Sequence, residues 1–322
     1  MHQQNPSKSV LVTGATGFIG SHLVNLLIEK NYNLKIYSRN PITDEFADLI
    51  DESSWLSGEL SDKGSLEIAC TGIDIVFHVA GVASSDSSNP EECRKVNLIG
   101  TQNVYLASVE AGVRKFIFVS SILASDPESS FYAESKRLSE EFLSSCQRDG
   151  ALTKVAILRP ASVYGLGMKG SLRTFILFAM RGLIPSLPKV KNSFPLVSVG
   201  DLCRALIAVA EDESPDTLVS AFTITDGQEY TVNRVEAAVY HGLRRRKPYT
   251  AIPKWAIHLV SVIAYLADLT GIKKNRLNLK LDKIFLGREN VSRADEFPRY
   301  NYKPLLTLES EMPSIINSMN RK

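Results

Sequence analysis

Residues 10–20 read Val-Leu-Val-Thr-Gly-Ala-Thr-Gly-Phe-Ile-Gly, a β-branched run that breaks into glycines at Gly14, Gly17 and Gly20. A helical pattern follows at once, with Phe18, Ile19, Leu23, Leu26 and Leu27 on one face and Ser21 and His22 between them. The first glycine allows a tight turn, the second lets backbone approach an anion, and the third lets helix and strand pack closely. Free N–H groups at the helix start then point at that anion, with the helix dipole behind them. Strand, glycine turn and helix N-terminus together make a site for a dinucleotide pyrophosphate. A plain turn is the bland alternative for a glycine triplet; the strand before it and the helix after it favour the phosphate site.

The alternation of short apolar runs and helical periods continues through the first half of the chain. Strands are expected at 34–38, 75–79, 115–120 and 154–158, and helices from the glycines to about Lys30, at 91–111 and at 132–146. Short βα connections of this kind imply a doubly wound parallel α/β sheet of the Rossmann type, with helices on both faces. Ligands of such sheets collect beyond the carboxyl ends of the strands, where Gly14, Arg39, Ala80 and Ser121 fall. After Tyr164 the pattern changes: Gly165, Gly167 and Gly170, then Pro185, Pro188 and Pro195, interrupt short helical runs, and longer ones return at 201–211 and 255–269. The expected division is a dinucleotide-binding domain over 8–168 and a smaller, mainly helical substrate lobe over 169–322. A strand at 221–225 would return to the main sheet.

Composition excludes several classes of partner. The 322 residues are 44% apolar and 22% charged, with a net charge of +2, too balanced to argue for nucleic acid. Cys70, Cys93, Cys146 and Cys203 are far apart and form no Cys-x-x-Cys pair, so they read as reduced, buried thiols. His2, His22, His78, His241 and His258 show no ligand spacing, and no metal is expected. The opening Met-His-Gln-Gln-Asn-Pro-Ser-Lys lacks an apolar signal region, and a cytoplasmic location is expected. The apolar stretch from Trp255 to Leu269 is shorter than the roughly 20 residues that span a bilayer. Its basic flanks, Arg244, Arg245, Arg246 and Lys247 before it and Lys273, Lys274 and Arg276 after it, allow a weak association with an anionic membrane surface. A buried helix with solvated basic flanks is the favoured reading.

Tyr132-Ala-Glu-Ser-Lys136 places a phenol and an ammonium one helical turn apart, on one face. A nearby ammonium, together with the positive charge of an oxidised nicotinamide, is expected to pull the tyrosine below its ordinary value of about 10, so that it can give or take the proton accompanying hydride transfer. Ser120-Ser121 ends the strand just upstream, offering a hydroxyl to the same substrate oxygen. The second strand ends Ser38-Arg39-Asn40-Pro41 with no carboxylate until Asp44. An acid there would bond the ribose hydroxyls of NAD, whereas a guanidinium suits the 2′-phosphate of NADP, with Ser38 adding a hydroxyl. NADP is therefore the expected cofactor, ahead of NAD.

Taken together, Thr13-Gly-Ala-Thr-Gly-Phe-Ile-Gly20, the Tyr-x-x-x-Lys and the upstream serine resemble the extended short-chain dehydrogenase/reductases, the group of sugar-nucleotide epimerases, dehydratases and ketoreductases. The resemblance runs nearly full length, through Leu158-Arg-Pro-Ala-Ser-Val-Tyr-Gly165, Val199-Gly-Asp-Leu202 and Tyr302-Lys-Pro-Leu-Leu-Thr-Leu-Glu309. It implies catalytic roles for Ser121, Tyr132 and Lys136, with register favouring Ser121 over Ser120 and Lys136 also bonding the nicotinamide ribose. It further implies cofactor contacts from Gly14, Thr16, Gly17, Phe18, Ile19 and Gly20, from Glu59 and Leu60 in Gly58-Glu-Leu-Ser-Asp62, from Val79, Ala80 and Gly81, and from Asn97. Glu59 stands where the family has Asp at the adenine edge. The interval from Ile122 to Phe131 is shorter than in most sugar-nucleotide epimerases and lacks their Tyr-Gly.

The reading this leads to is an NADP-dependent reduction of a ketone to an alcohol, on a nucleotide sugar of the 4-keto type. Rivals are a nucleotide-sugar 4-epimerase holding NAD, a sterol- or lipid-type hydroxy dehydrogenase, and a redox-sensing dinucleotide-binding protein. Arg173, Arg288 and Arg293 are candidate grips for a substrate pyrophosphate, and assembly as a homodimer is compatible with the chain.

Overall fold

The computed structural model describes residues 8–82, 89–183, 186, 187, 189, 191–213, 221–248 and 302–320. They fall into two compact units. One takes the described residues within 1–161, 199–224 and 294–303, and the other those within 162–198, 225–293 and 304–322.

The first unit is built on a seven-stranded sheet in the order β3-β2-β1-β4-β5-β6-β9, parallel throughout. Its strands are β1 (Ser9–Thr13), β2 (Asn33–Ser38), β3 (Trp55–Ser57), β4 (Ile75–His78), β5 (Lys115–Val119), β6 (Lys154–Pro160) and β9 (Ala221–Ile224). The helices are α1 (Phe18–Glu29), α2 (Asp44–Ala47), α3 (Lys63–Cys70), α4 (Pro90–Cys93), α5 (Gly100–Glu110), α6 (Phe131–Arg148) and α8 (Val199–Glu211). The central strands are buried on both sides and carry continuous apolar runs in place of alternation, β5 being buried over its whole length. On one face Leu11, Val76, Phe116, Phe118, Val155 and Ile157 pack with Leu66, Val104, Tyr105 and Leu143 from α3, α5 and α6. The tyrosine ring of Tyr105 meets Phe116 edge-on at 5.3 Å, a preferred aromatic geometry. Val10, Val12, Ile36, Phe77 and Ile117 alternate to the opposite face and are equally buried.

The strand order reverses between β1 and β4: the chain runs outward from β1 through β2 and β3, then returns to build β4, β5 and β6 on the other side. That reversal opens a crevice beyond the carboxyl ends of β1 and β4.

The expected helix over 91–111 is interrupted. After α4, residues Arg94–Ile99 form a π-helical segment before α5 resumes. Such single π turns inside helices are uncommon and favour functional positions. Three of the four cysteines are buried as expected, while Cys146 is half-exposed; all four are free thiols.

The second unit holds a three-stranded sheet in the order β10-β8-β7, from β7 (Ser162–Tyr164), β8 (Ser193–Ser198) and β10 (Glu229–Thr231), together with α7 (Ser171–Met180), α9 (Val232–Gly242) and α10 (Leu308–Asn320). The residue pattern does not predict this small sheet, because Pro195 reads as a break. Pro195 sits inside β8 opposite Glu229, where β8 pairs antiparallel with β10; pairing with β7 begins only at Leu196. A proline is tolerated where one side of the ladder makes no demand on its nitrogen. Tyr164 and Tyr230 both donate to the buried carboxylate of Asp226, at 3.1 and 2.6 Å, and the Leu308 amide donates to the Tyr230 hydroxyl at 3.1 Å. The basic run 244–247 is not a uniformly solvated flank either: Lys247 ion-pairs with the buried Glu236, and Arg245 donates to the Met180 carbonyl. The segment 255–269, Arg288 and Arg293 lie outside the described residues, and Arg173 is exposed on α7. Among the described residues no helix is long and apolar enough to cross a membrane.

Lys115, at the start of β5, is nearly buried and donates to three carbonyls at the end of α8: Val209 at 2.7 Å, Ala210 at 3.2 Å and Asp212 at 2.6 Å. The ammonium satisfies carbonyls that a helix end leaves without intrahelical partners and meets the negative pole of the helix dipole. Lys115→Met keeps the apolar stem and removes those bonds. It is expected to destabilise the protein by about 1.5–3 kcal/mol, read as a lowered urea midpoint at unchanged slope; an unchanged midpoint would contradict this account of α8.

Candidate active site

Gly14 follows β1 with φ +79°, in the left-handed region that suits glycine. A β-carbon there would lie 2.6 Å from the Ala80 nitrogen and 2.9 Å from the Val79 carbonyl carbon, so the loop after β1 and the turn after β4 touch backbone to backbone. A β-carbon on Gly20 would run into the Gly14 carbonyl, which explains the third glycine, and one on Gly17 would crowd the same oxygen at 3.1 Å. Gly17 is the N-cap of α1 and makes no side-chain cap bond, and no acid occupies the first turn. Thr16 and Gly17 are exposed, and Phe18 and Ile19 half-exposed, around that helix start. Bare amides, a dipole and a cradle shaped by missing side chains fit a pyrophosphate.

At the end of β2, Ser38 is buried and its Oγ accepts the Asn40 amide at 3.3 Å, while Arg39 projects into solvent. Glu59 is exposed and accepts from the Ser61 hydroxyl at 3.2 Å. Leu60 covers Gly100, where a β-carbon would lie 2.8 Å from its Cδ1, and its carbonyl accepts from Asn103 at 2.8 Å. Gly81 is exposed beside Asn97 and Lys136: a β-carbon on it would lie 2.9 Å from Asn97 Oδ1 and 3.4 Å from Lys136 Nζ. Asn97, buried in the π-helical segment, accepts the Val82 amide at 2.8 Å and donates to Ser135 at 2.9 Å. It therefore ties the turn after β4 to α6.

Ser130 caps α6 by accepting the Ala133 amide at 3.2 Å, which sets Tyr132 in the first turn of that helix. The two serines after β5 point opposite ways, as consecutive extended residues do. Ser120 donates to Glu140, which is held by Arg159 with Nε bonds of 2.9 and 3.1 Å. Ser121 hydrogen-bonds with Tyr132 and accepts the Leu123 amide at 3.2 Å. Geometry thus brings Ser121, not Ser120, to the phenol. Lys136 is buried, donates to the Val119 carbonyl at 2.8 Å and lies 4.7 Å from the Phe118 ring centre.

The expected lowering of Tyr132 is not what the protein's own groups produce. Burial raises the phenol above its ordinary value, opposed by the Ser121 bond, because a desolvated phenolate costs more than the neighbouring donor returns. Lys136 is pushed down to about 8 by burial, with Glu140 opposing. His78 is fully buried and pushed down to about 3 by burial and by Lys136. Sequence reading passed over His78, Ser135 and Ser139. Their signal was a lone polar ring closing an apolar strand, and two serines flanking Lys136 at helical spacing.

The model of the NAD dependent epimerase/dehydratase family matches residues 10–221. The chain belongs to that family. Its members are NAD(P)-dependent oxidoreductases and epimerases of the extended short-chain type, and this chain is such an enzyme. It is 25% identical to a UDP-glucose 4-epimerase of Vibrio cholerae, over 81% of this chain and 84% of that protein. It is 25% identical to a 3-beta-hydroxysteroid dehydrogenase of Mycolicibacterium neoaurum, over 94% of this chain and 89% of that one. The crystal structure of a UDP-glucose 4-epimerase from Thermotoga maritima with UDP-glucose has the same fold, with a TM-score of 0.70, 22% identity and coverage of 97% and 99%.

Gly14→Ala meets both the positive φ and the Ala80 backbone. It is expected to abolish dinucleotide binding in a fluorescence titration and to lower stability by more than about 1 kcal/mol. A variant that bound as well as the wild type would show that the loop moves freely.

Proposed function

We propose that this enzyme uses NADPH to reduce a ketone to an alcohol, on a 4-keto nucleotide sugar. The observation that carries the reading is the Ser121–Tyr132 pair at the end of β5, with Tyr132 held protonated by burial and Lys136 one turn further along α6. A protonated phenol suits the reducing direction, in which the group beside the carbonyl must act as an acid.

In this reading Ser121 donates to the carbonyl oxygen and fixes its orientation. Tyr132 gives that oxygen its proton as the carbonyl carbon is reduced, and the charge left on the phenol is stabilised by the Lys136 ammonium, which is largely protonated at neutral pH. Bound at the glycine cradle, the reduced dinucleotide would supply the hydride. Gly14, Thr16, Gly17, Phe18, Ile19 and Gly20 would surround its pyrophosphate, and Lys136 would bond the nicotinamide ribose. Val79, Ala80, Gly81 and Asn97 would line the nicotinamide side. Ser38 and Arg39 would hold the adenosine ribose and its 2′-phosphate, with Glu59 and Leu60 at the adenine.

Arg39 supports NADP over NAD, because β2 ends without the carboxylate that would accept from two ribose hydroxyls. The short path from Ser121 to α6, two 3-10 turns at Ile122–Ser125 and Pro127–Ser129, also separates the chain from the longer lids of sugar epimerases. A hydroxysteroid-type activity is the second reading, favoured by the similarity to the steroid dehydrogenase over nearly the full chain. Loss of NADPH absorbance with a panel of 4-keto nucleotide sugars and 3-ketosteroids separates the two. Turnover confined to the steroids would replace the proposed substrate class.

Arg39→Ala is expected to weaken NADPH binding by roughly tenfold or more, since a charge-assisted contact contributes about 1.5–3 kcal/mol. NADH binding should barely change in the same calorimetric titration, and equal wild-type affinities for both dinucleotides would contradict the assignment. Tyr132→Phe keeps the ring and removes the proton. Its turnover number should fall by ~10² to 10⁴-fold with NADPH affinity intact, and retained turnover would remove Tyr132 from the centre of the chemistry.

A further inference from the structure

One buried titratable group plays no part in the chemistry above, yet bonds to residues next to the glycine loop and in α5. His78 ends β4 with its ring stacked on Phe118, centroids 5.8 Å apart at 18°. Nδ1 lies 2.7 Å from Thr13 Oγ1 and Nε2 lies 3.0 Å from Thr101 Oγ1.

The direction of each bond follows from the ends of the chain. Thr101 Oγ1 lies 2.5 Å from the Asn97 carbonyl, which can only accept, so the threonine proton is spent there. Thr101 must then accept from His78, which places the ring proton on Nε2. A neutral ring with that tautomer has a bare Nδ1, which accepts from the Thr13 hydroxyl. Thr13 Oγ1 in turn accepts from the Ala80 amide at 3.4 Å, and an amide can only donate. The polarity is therefore single: Ala80 amide to Thr13, Thr13 to His78, His78 to Thr101, Thr101 to the Asn97 carbonyl. A protonated ring would break this order, and burial together with the Lys136 charge holds the ring neutral.

The ends of this chain are the working parts of the site. Thr13 adjoins Gly14, and Ala80 is the residue that Gly14 packs against. The Asn97 carbonyl also accepts from Ser139 at 2.9 Å, and the Asn97 side chain holds Ser135, so both flanks of Lys136 on α6 are tied to it. We propose that His78 is a positioning residue that, through this one-way chain, sets the glycine loop in register with the turn and helix that carry Lys136 and Tyr132. The inference rests on reading the glycine loop as the dinucleotide site.

The test combines a tautomer measurement with binding of NADPH as the probe. Long-range nitrogen–proton NMR on protein carrying isotope-labelled histidine should find His78 as the Nε2–H tautomer at neutral pH, with no dinucleotide present. His78→Phe keeps the stacked ring and deletes both bonds; it should weaken NADPH binding about fivefold or more. Thr101→Val alters a residue on α5 behind His78; it should weaken NADPH binding about twofold or more with His78 present and not at all in His78→Phe. His78→Asn can still accept from Thr13, but its shorter side chain ends near the place of Nδ1 and does not reach Thr101; Thr101→Val should be silent there too, which covers a failure of the phenylalanine variant to fold. An Nδ1–H tautomer, undiminished binding by the His78 variants, or an equal effect of Thr101→Val with and without His78 would overturn the proposal. Wild-type protein that bound neither NADPH nor NADH would instead remove the reading of the loop on which it rests.

Discussion

Where the sheet reverses, the backbone of Gly14 lies against that of Ala80, so near that a β-carbon would sit 2.6 Å from the amide nitrogen. This contact joins the first and fourth strands beyond their paired residues and shapes the crevice between them. The start of α1 follows Gly14 by a few residues and the turn through Gly81 follows Ala80 directly, with the Val82 amide held in turn by Asn97. A side chain larger than hydrogen at 14 or 20 would part the loop from the turn, and the anion cradle with it. Sheet pairing supplies the frame; the missing β-carbons supply the site.

Burial then acts on three ionisable groups, one ending β4 and two on the first turns of α6, with opposite results for acids and bases. It raises Tyr132, lowers Lys136 to about 8 and lowers His78 to about 3. At neutral pH the phenol and the imidazole are therefore neutral and the ammonium largely charged. The ammonium is desolvated but not isolated: the Val119 carbonyl accepts from it at 2.8 Å, and Glu140 lies one turn along α6 in the grip of Arg159. Removing any of these partners would leave a buried charge without compensation, which is costlier than never having buried it.

Much of this was legible in the residues. The strand–glycine–helix run defines β1, the loop and α1 because only glycine suits those turns, and the continuous apolar runs of β4 and β5 can only be buried on both faces. Tyr132 and Lys136 were readable because i and i+4 share a helical face. What was hidden depended on tertiary environment. The three residues Trp55–Ser57 are too short a strand to show a period, and they exist by pairing with β2. Pro195 reads as a breaker, yet stands in β8 where the ladder asks nothing of its nitrogen. The π turn around Asn97 has no local signature; hydroxyls arriving from α5 and α6 hold its carbonyl. The upward displacement of Tyr132 comes from desolvation, which spacing along a helix cannot reveal.

A crystal structure of the NADPH complex would test the central claim most directly, since it places every proposed group against one ligand. The account predicts the pyrophosphate over the first turn of α1, the 2′-phosphate on Arg39, and Lys136 Nζ at about 2.7–3.2 Å from a nicotinamide-ribose hydroxyl, with the nicotinamide facing Tyr132. A pyrophosphate bound away from the glycine loop, or a nicotinamide turned away from the Ser121–Tyr132 pair, would contradict it.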